Sequence, residues 1–377
     1  MYLRELALHD FRNYAALQLS LPGGVVAFAG PNGAGKTNLL EAIYVSSVGE
    51  SPRAGALTEL VRFGQAHAHA RAHFAAGARE TRLEVGLSQA GQRQIKVNGV
   101  AKRRGELSGL APVIYFSADD IVVLKGEPSG RRRLLDVELS ALSQSYYLQL
   151  GRYRRTLEQR NRLLKDLRAG RGRRDALDPW DRAAARYGAQ VMAERGRFVS
   201  RLREAAALAH TGLTGGGQPF SVRYAPSFVA AEEHDPKAWE KGGEEFVELL
   251  GQRLEACLGA RREEDIAAGM TTSGPHRDDL EVLLGRRPIR AFGSQGQQRA
   301  AALAVRLGLA GVAEQVTGER PVLLLDDVLS ELDAHYRAGV FAACRGVEQA
   351  LITACDAEDL PREAREAVFE VRDGRIV

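Results

Sequence analysis

A chain of 377 residues, 45% hydrophobic and 27% charged, carries enough apolar content for two domains rather than one ordinary core. No run approaches the ~18 uninterrupted apolar residues of a membrane span, and residues 1–5 lack the basic-then-apolar pattern of a secretion signal, so a cytoplasmic protein is expected. The 52 Lys+Arg against 48 Asp+Glu leave a net charge of +4, too small to imply nucleic-acid binding unless it is concentrated, and Cys257, Cys344 and Cys355 have no metal-like spacing and point to a reducing compartment.

Leu17, Leu19 and Leu21 alternate with polar residues, which predicts a half-buried strand turning at Pro22-Gly23-Gly24. Residues 25–29 are all apolar, as a strand buried on both faces requires. Gly30-Pro31-Asn32-Gly33-Ala34-Gly35-Lys36-Thr37 then matches G-x-x-x-x-G-K-[ST] at every fixed position, and Leu39, Leu40 and Ile43 follow at helical spacing. The glycines let successive N–H groups curl toward phosphate oxygens, and the helix start adds roughly half a positive charge behind them. Lys36 is suited to the β- and γ-phosphates, Thr37 to Mg²⁺, and Asn38 closes the loop. Strand, glycine loop and helix in that order set the match apart from an ordinary glycine turn, and predict binding of ATP with Mg²⁺.

Further along, Ala66, Ala68, Ala70 and Ala72 alternate with His67, His69, Arg71 and His73. Three histidines on one face could hold a metal, but no carboxylate or cysteine joins them, which favours a solvated antiparallel strand. Leu83, Val85 and Leu87 continue the alternation, and Ile95 and Val97 run into the hairpin signal Asn98-Gly99. An antiparallel meander therefore follows the loop helix, and residues 113–116 form another buried strand.

After Asp120 the character changes. Arg131-Arg132-Arg133 opens a helical region in which Leu150, Leu157 and Leu164 recur every seven residues. The loop 169–174 breaks it, Asp178-Pro179 can start the next helix, and Trp180, Ala184, Tyr187, Val191, Phe198 and Leu202 keep helical spacing. This reads as an antiparallel helical hairpin, too short for an extended coiled coil. Residues 152–174 hold ten Lys/Arg against Glu158 and Asp166. Contact with DNA through Arg131, Arg132, Arg171, Arg173 and Arg174 competes here with a merely solvated face. Residues 214–217 form a joint, residues 232–248 an acidic surface segment, and β-like character returns from Gly269. The expected organisation is α/β, with a discontinuous ATPase domain over 1–120 and 265–377 and an inserted helical arm over 121–264.

Val322-Leu323-Leu324-Leu325 ends in Asp326-Asp327, the Walker B pattern. As a buried parallel strand it would bring Asp326 beside the phosphate loop to hold Mg²⁺ with Thr37, while Asp327 polarises the attacking water. Ser294-Gln295-Gly296-Gln297 is similar to the LSGGQ signature of ABC ATPases, with Gln295 where that pattern has Gly; a polar helix cap is the plainer alternative. Ser330-Glu331-Leu332-Asp333 resembles the D-loop of the same superfamily. Two positions depart from transport-type ABC ATPases: Ser117-Ala118-Asp119-Asp120 lacks their glutamine, and Ala354-Cys355-Asp356 lacks their switch histidine. The sensor of the γ-phosphate is therefore open.

With these motifs in place the whole chain resembles the RecF family of bacterial recombination mediators, relatives of SMC heads. The resemblance is carried by Asp10-Phe11-Arg12-Asn13-Tyr14, the phosphate loop, residues 125–133, residues 271–279, the signature-like stretch and Walker B. It implies an ABC-type head with a β meander and inserted helical domain. Catalysis would rest on Lys36, Asp327 and Ser294, with Arg12 and residues 294–297 joining the nucleotide site. It also implies a weak DNA-dependent ATPase that dimerises on ATP and binds DNA at single-strand/double-strand junctions. With RecO and RecR it would help load RecA in repair, replication restart and the SOS response. Within Gly274-Pro275-His276-Arg277-Asp278-Asp279, His276 and the two aspartates could ligate a metal, or the turn could touch nucleotide or DNA. The rivals are a transporter's ATPase subunit and an SMC-like structural ATPase. The 258 residues between Lys36 and Ser294 (294 − 36) are too many for the first, and one short hairpin is too little coiled coil for the second.

Overall fold

The computed structural model describes all residues except 229–235, 330, 331, 333 and 361–366. In chain order its elements are β1 (Tyr2–Phe11), β2 (Tyr14–Ser20), β3 (Gly24–Ala29), α1 (Lys36–Val48), β4 (His67–Ala76), β5 (Arg79–Ser88), β6 (Arg93–Val97), β7 (Val100–Lys102) and β8 (Val113–Ser117). There follow α2 (Asp120–Lys125), α3 (Pro128–Leu142), α4 (Gln144–Arg168), α5 (Asp178–Thr214), β9 (Phe220–Ala225), α6 (Pro236–Lys241), α7 (Glu244–Ala260) and α8 (Arg262–Ala268). The chain ends with β10 (Asp279–Leu284), β11 (Arg287–Pro288), α9 (Ile289–Phe292), α10 (Gln295–Thr317), β12 (Val322–Asp326), α11 (Ala334–Arg345), β13 (Gln349–Ala354), β14 (Val368–Arg372) and β15 (Arg375–Ile376). Two compact units result, one of residues 1–122, 208–217 and 299–377, the other of 123–207 and 218–298.

The first unit contains two six-stranded sheets. One is the antiparallel order β2-β1-β4-β5-β6-β7, the meander expected after the loop helix together with the first two strands. In it Ala68, Ala70 and Ala72 face the core while His67 and His69 face outward, and His69 and His73 lie beside Glu84 and Glu80. The other sheet, β15-β14-β3-β13-β12-β8, is parallel from β14 to β8. Helix α1 contacts strands of both sheets, and eleven of its thirteen residues are buried. Its burial extends beyond one apolar stripe, and the buried Glu41, Ser46 and Ser47 are each satisfied by a hydrogen bond, to Arg12, the Ala42 carbonyl and the Ala111 carbonyl. Helix α10 is long and apolar enough to cross a membrane by length and composition, but 61% of its apolar window is buried inside the protein, as in a core helix.

In the second unit α4 and α5 form the expected antiparallel hairpin. Tyr146 bonds Arg195, and Arg160 bonds Asp181, so partners descend one helix as they climb the other. A three-stranded sheet, β11-β10-β9, joins them, in a register that runs from Asp279 opposite Ala225 to Leu284 opposite Phe220. That pairing draws residues 265–298 into this unit, whereas the sequence places them with the ATPase half. Residues 208–217 go the other way, with Leu213 packed against Gly339. Strand pairing across more than fifty residues leaves no local mark, so the sequence boundary falls at the change in composition instead.

Candidate nucleotide site

Strand β3 delivers the chain to Gly30, whose φ of 151° and tight surroundings admit only glycine: a Cβ there would lie 2.2 Å from the carbonyl oxygen of Val371. Gly35 is constrained chiefly by its φ of 117°, with the side-chain ends of Asn13 and Tyr14 also within 3 Å of where a Cβ would lie. As the N-cap of α1 it has no side chain to offer the first-turn N–H groups, which leaves that end suited to an anion. Lys36 is buried, its Nζ donating to the carbonyls of Gly30 (2.6 Å) and Pro31 (3.0 Å) across the loop. An ammonium bonds an anionic phosphate oxygen more strongly than a neutral carbonyl oxygen, so it has a reason to exchange partners.

The Asp10–Tyr14 stretch braces this loop from behind. Asn13 Nδ2 donates to the carbonyl of Ala34 (3.0 Å), Tyr14 OH to that of Gly35 (3.1 Å), and Asn38 Nδ2 to Asn13 Oδ1 (2.8 Å). Gly374 N donates to the Ala34 carbonyl as well. Arg12, expected at the nucleotide, makes a bidentate pair with the buried Glu41 of α1 (2.8 and 3.0 Å) and donates to the Glu59 carbonyl.

Strand β12 brings Asp326 to the loop, 289 residues from Thr37, whose Oγ1 donates to Asp326 Oδ1 at 2.8 Å. Thr353 Oγ1 donates to the same oxygen (3.0 Å) and Tyr115 OH to Oδ2 (2.6 Å). Burial, and after it the neighbouring Asp326 charge, push the Tyr115 phenol well above its ordinary pKa, so it stays a donor. A buried carboxylate ringed by hydroxyls fits a hard divalent cation. Asp327 is exposed and adopts a left-handed φ of 52°, its N–H held by Thr353 Oγ1 at 2.8 Å. Neither Tyr115 nor Thr353 stood out in the sequence. Each lies inside an apolar strand run, where a hydroxyl that receives no partner locally is the one signal available.

At the positions that depart from transport-type ABC ATPases, Asp120 is buried and pairs with Arg306 (2.5 Å) while accepting from Ser117 N (2.9 Å), a structural role. The exposed Cys355 donates to Asn32 Oδ1 of the phosphate loop at 3.2 Å. Ser330, Glu331 and Asp333 of the D-loop resemblance lie outside the described residues; Leu332 is buried.

In the second unit, Ser294 and Gln297 form a reciprocal capping box at the start of α10. Ser294 N donates to Gln297 Oε1 (2.8 Å), and Gln297 N to Ser294 Oγ (3.3 Å). The plainer reading of the signature-like stretch is thus realised, and it exposes Ser294 and Gln295 at a helix N-terminus, with Gly296 half-buried.

Within the Gly274–Asp279 turn Arg277 is exposed, while both acids are engaged by protein donors. Asp278 is fully buried and accepts from Tyr224 OH and Ser227 N, and burial raises its carboxyl pKa. His276 bonds Tyr153 OH (2.6 Å) and the Thr271 carbonyl (3.0 Å), and burial lowers its pKa to about 4. Among the described residues no group of three His, Cys, Asp or Glu is disposed to hold a metal. Arg131, expected to meet DNA, is 2% exposed, bidentate to Asp279 at 2.8 Å and donating to the Leu124 and Gly126 carbonyls. Arg132 is half-buried and bonds the Asp278 carbonyl (2.7 Å). The other three arginines are exposed on the hairpin loop, each beside a carboxylate: Arg171 with Asp166, Arg173 with Asp175, Arg174 with Glu263.

Residues 2–374 match the RecF/RecN/SMC N-terminal domain family. Over 383 residues the chain is 38% identical to the DNA replication and repair protein RecF of Symbiobacterium thermophilum, covering 100% of this chain and 98% of that protein. Over 380 residues it is 32% identical to its namesake in Clostridium tetani, covering 100% of both. A solved structure of the recombination mediator protein RecF with ATP, from the RecFOR pathway, superposes with a TM-score of 0.88 at 32% identity, covering 100% of this chain and 97% of that one. An SMC head bound to the C-winged helix domain of ScpA shares the fold at a TM-score of 0.52 and 16% identity, covering 100% of this chain and 97% of that one.

Proposed function

We propose, from the premise that this chain belongs to the RecF family, that it is an ATP-dependent DNA-binding protein of recombinational repair and replication restart. ATP drives it into a homodimer on gapped DNA or single-strand/double-strand junctions. There, with RecO and RecR, it helps load RecA and supports the SOS response, and slow, DNA-dependent hydrolysis resets it. It works in the cytoplasm.

The observation that carries this reading is the 2.8 Å bond between Thr37 and Asp326, which joins the phosphate loop to the Walker B strand at the mouth of an uncapped helix. Lys36 and the α1 N-terminus bind the phosphates, Thr37 and Asp326 hold Mg²⁺, and Asp327 polarises the attacking water. Bound Mg²⁺ would supply neutralisation of charge on the phosphate oxygens. Residues 30–38 shape the loop, with Asn13 and Tyr14 fixing its backbone. Ser294, with Gln295, Gly296 and Gln297, completes the site of the opposite subunit, as the signature does in ABC ATPases, so that a twofold dimer traps two ATP molecules. Exposed Arg171, Arg173 and Arg174 trade their carboxylate partners for DNA phosphates, since exposed ion pairs are weak and screened by salt.

The test is assembly by light scattering with and without ATP. Ser294→Arg should bind ATP normally yet stay monomeric, and Lys36→Ala should lose ATP binding in titration calorimetry. Mixed together, the two form a heterodimer with one site carrying both defects and one carrying neither, so partial hydrolysis should return. Dimerisation of Ser294→Arg with ATP would refute the two-subunit site, and unchanged ATP affinity of Lys36→Ala would refute the nucleotide assignment itself.

A further inference from the structure

The strand order β3-β13-β12-β8 sets β13 between the phosphate-loop strand and the strand that ends in Asp326. Thr353, next to last in β13, is 1% exposed. Its Oγ1 donates to Asp326 Oδ1 (3.0 Å) and accepts from the N–H of Asp327 (2.8 Å). A hydroxyl has one proton to give and two lone pairs, so both bonds form at once without competition. Asp327 needs such a hold. Its φ of 52° lies in the left-handed region, which a non-glycine residue keeps only where its surroundings enforce it. One side chain therefore fixes a carboxylate and, at the next residue, the strained backbone that aims a second carboxylate. Asp326 keeps other donors in Thr37 and Tyr115, whereas Thr353 bonds both Asp326 and Asp327.

We infer that Thr353 is a positioning residue for hydrolysis: its hydroxyl ties the backbone of Asp327 to the carboxylate of Asp326 and so holds the two acids in one mutual setting. This rests on the ATPase reading above and adds the residue through which the carboxylate at the loop constrains the aim of the base. It sits directly before Ala354-Cys355-Asp356, where transport-type ABC ATPases carry a switch histidine. Threonine suits the place twice over, as a β-branched strand residue and as a hydroxyl donor and acceptor. Valine keeps the shape and removes the hydroxyl.

The experiment compares steady-state ATP hydrolysis and fluorescent-nucleotide binding in the full-length wild type, Thr353→Val, Thr353→Ser, Asp327→Asn and the Thr353→Val/Asp327→Asn double variant. Thr353→Val should bind nucleotide within about threefold of wild type with a similar KM, while kcat falls about tenfold or more. Thr353→Ser should return kcat to within about threefold of wild type. The double variant should be no slower than Asp327→Asn, because a residue acting through Asp327 has nothing left to position. Wild-type kcat in the valine variant overturns the inference. So does failure of serine to rescue, or a double variant slowed by the product of the single effects. If the valine variant does not fold, Thr353→Ala takes its place in the cycle and the serine rescue stands unaltered. Absence of hydrolysis by the wild type would refute the ATPase reading and this inference with it, whereas an unaffected valine variant refutes the inference alone.

Discussion

Asp327 combines three features seldom found together: an exposed carboxylate, a left-handed backbone and an N–H secured by a buried hydroxyl. Its neighbour Asp326 is buried among hydroxyl donors. Adjacent acids in such different surroundings suit the division of work proposed above, in which one would hold the cation and the other would activate water. Asp327→Asn is therefore expected to bind ATP with near-wild-type affinity while hydrolysing it about 10²–10⁴ times more slowly. The ATP-bound dimer should accumulate, as measured by single-turnover hydrolysis beside light scattering. Full turnover in this variant would assign the base to another residue. Arg12, a charged residue beside the loop, pairs with the buried Glu41.

At the scale of elements, the arginines divide by burial. Arg131 at the start of α3 joins that helix to β10 through Asp279, a bidentate pair in which the guanidinium is buried and the carboxylate is 20% exposed. Arg131→Ala should cost about 1–3 kcal/mol in denaturant unfolding, the range for removing one hydrogen-bond partner where water still reaches the other. The loop between α4 and α5 is the opposite case, because its arginines hold only exposed carboxylates, Asp166 and Asp175 nearby and Glu263 in α8. Replacing Arg171, Arg173 and Arg174 together by alanine should leave the urea unfolding midpoint close to that of the wild type. It should also flatten the plot of log K for duplex DNA against log salt, by about 0.9 for each phosphate that the loop no longer neutralises. An unchanged slope would mean that the loop does not touch DNA.

Across the whole molecule, buried titratable groups set how stability follows pH. His276 has a folded pKa of about 4 against an ordinary 6.5, so between those values the unfolded chain binds the extra proton. Stability contributed by the neutral ring is present above about pH 6.5 and is lost as pH falls toward 4, by up to about 3 kcal/mol at ~1.4 kcal/mol per unit. Burial also lowers the pKa of His210, which adds in the same direction. The raised carboxyl of Asp278 acts oppositely, gaining a proton on folding below its raised pKa. Urea unfolding at pH 7 and pH 5 should show the wild type weaker at pH 5. A His276→Gln variant should lose a large part of that difference, and an equal difference in both would remove His276 as its source.

The phosphate loop and Walker B strand were legible in the sequence because each is a local requirement. Glycines mark a backbone with positive φ, and an unbroken apolar run marks a strand buried on both faces, so order along the chain sufficed to place them. The helical hairpin was legible for the same reason, its period of seven being a property of one helix at a time. What tertiary structure alone decided is which charged residues serve the fold. Arg131 and Asp279 are 148 residues apart, Arg160 and Asp265 105 apart, and Tyr115 and Asp326 211 apart. No local pattern announces a partner at that distance. An arginine bound for the interior reads the same as one bound for DNA until the chain has closed around it, because burial is a property of the neighbours and not of the residue.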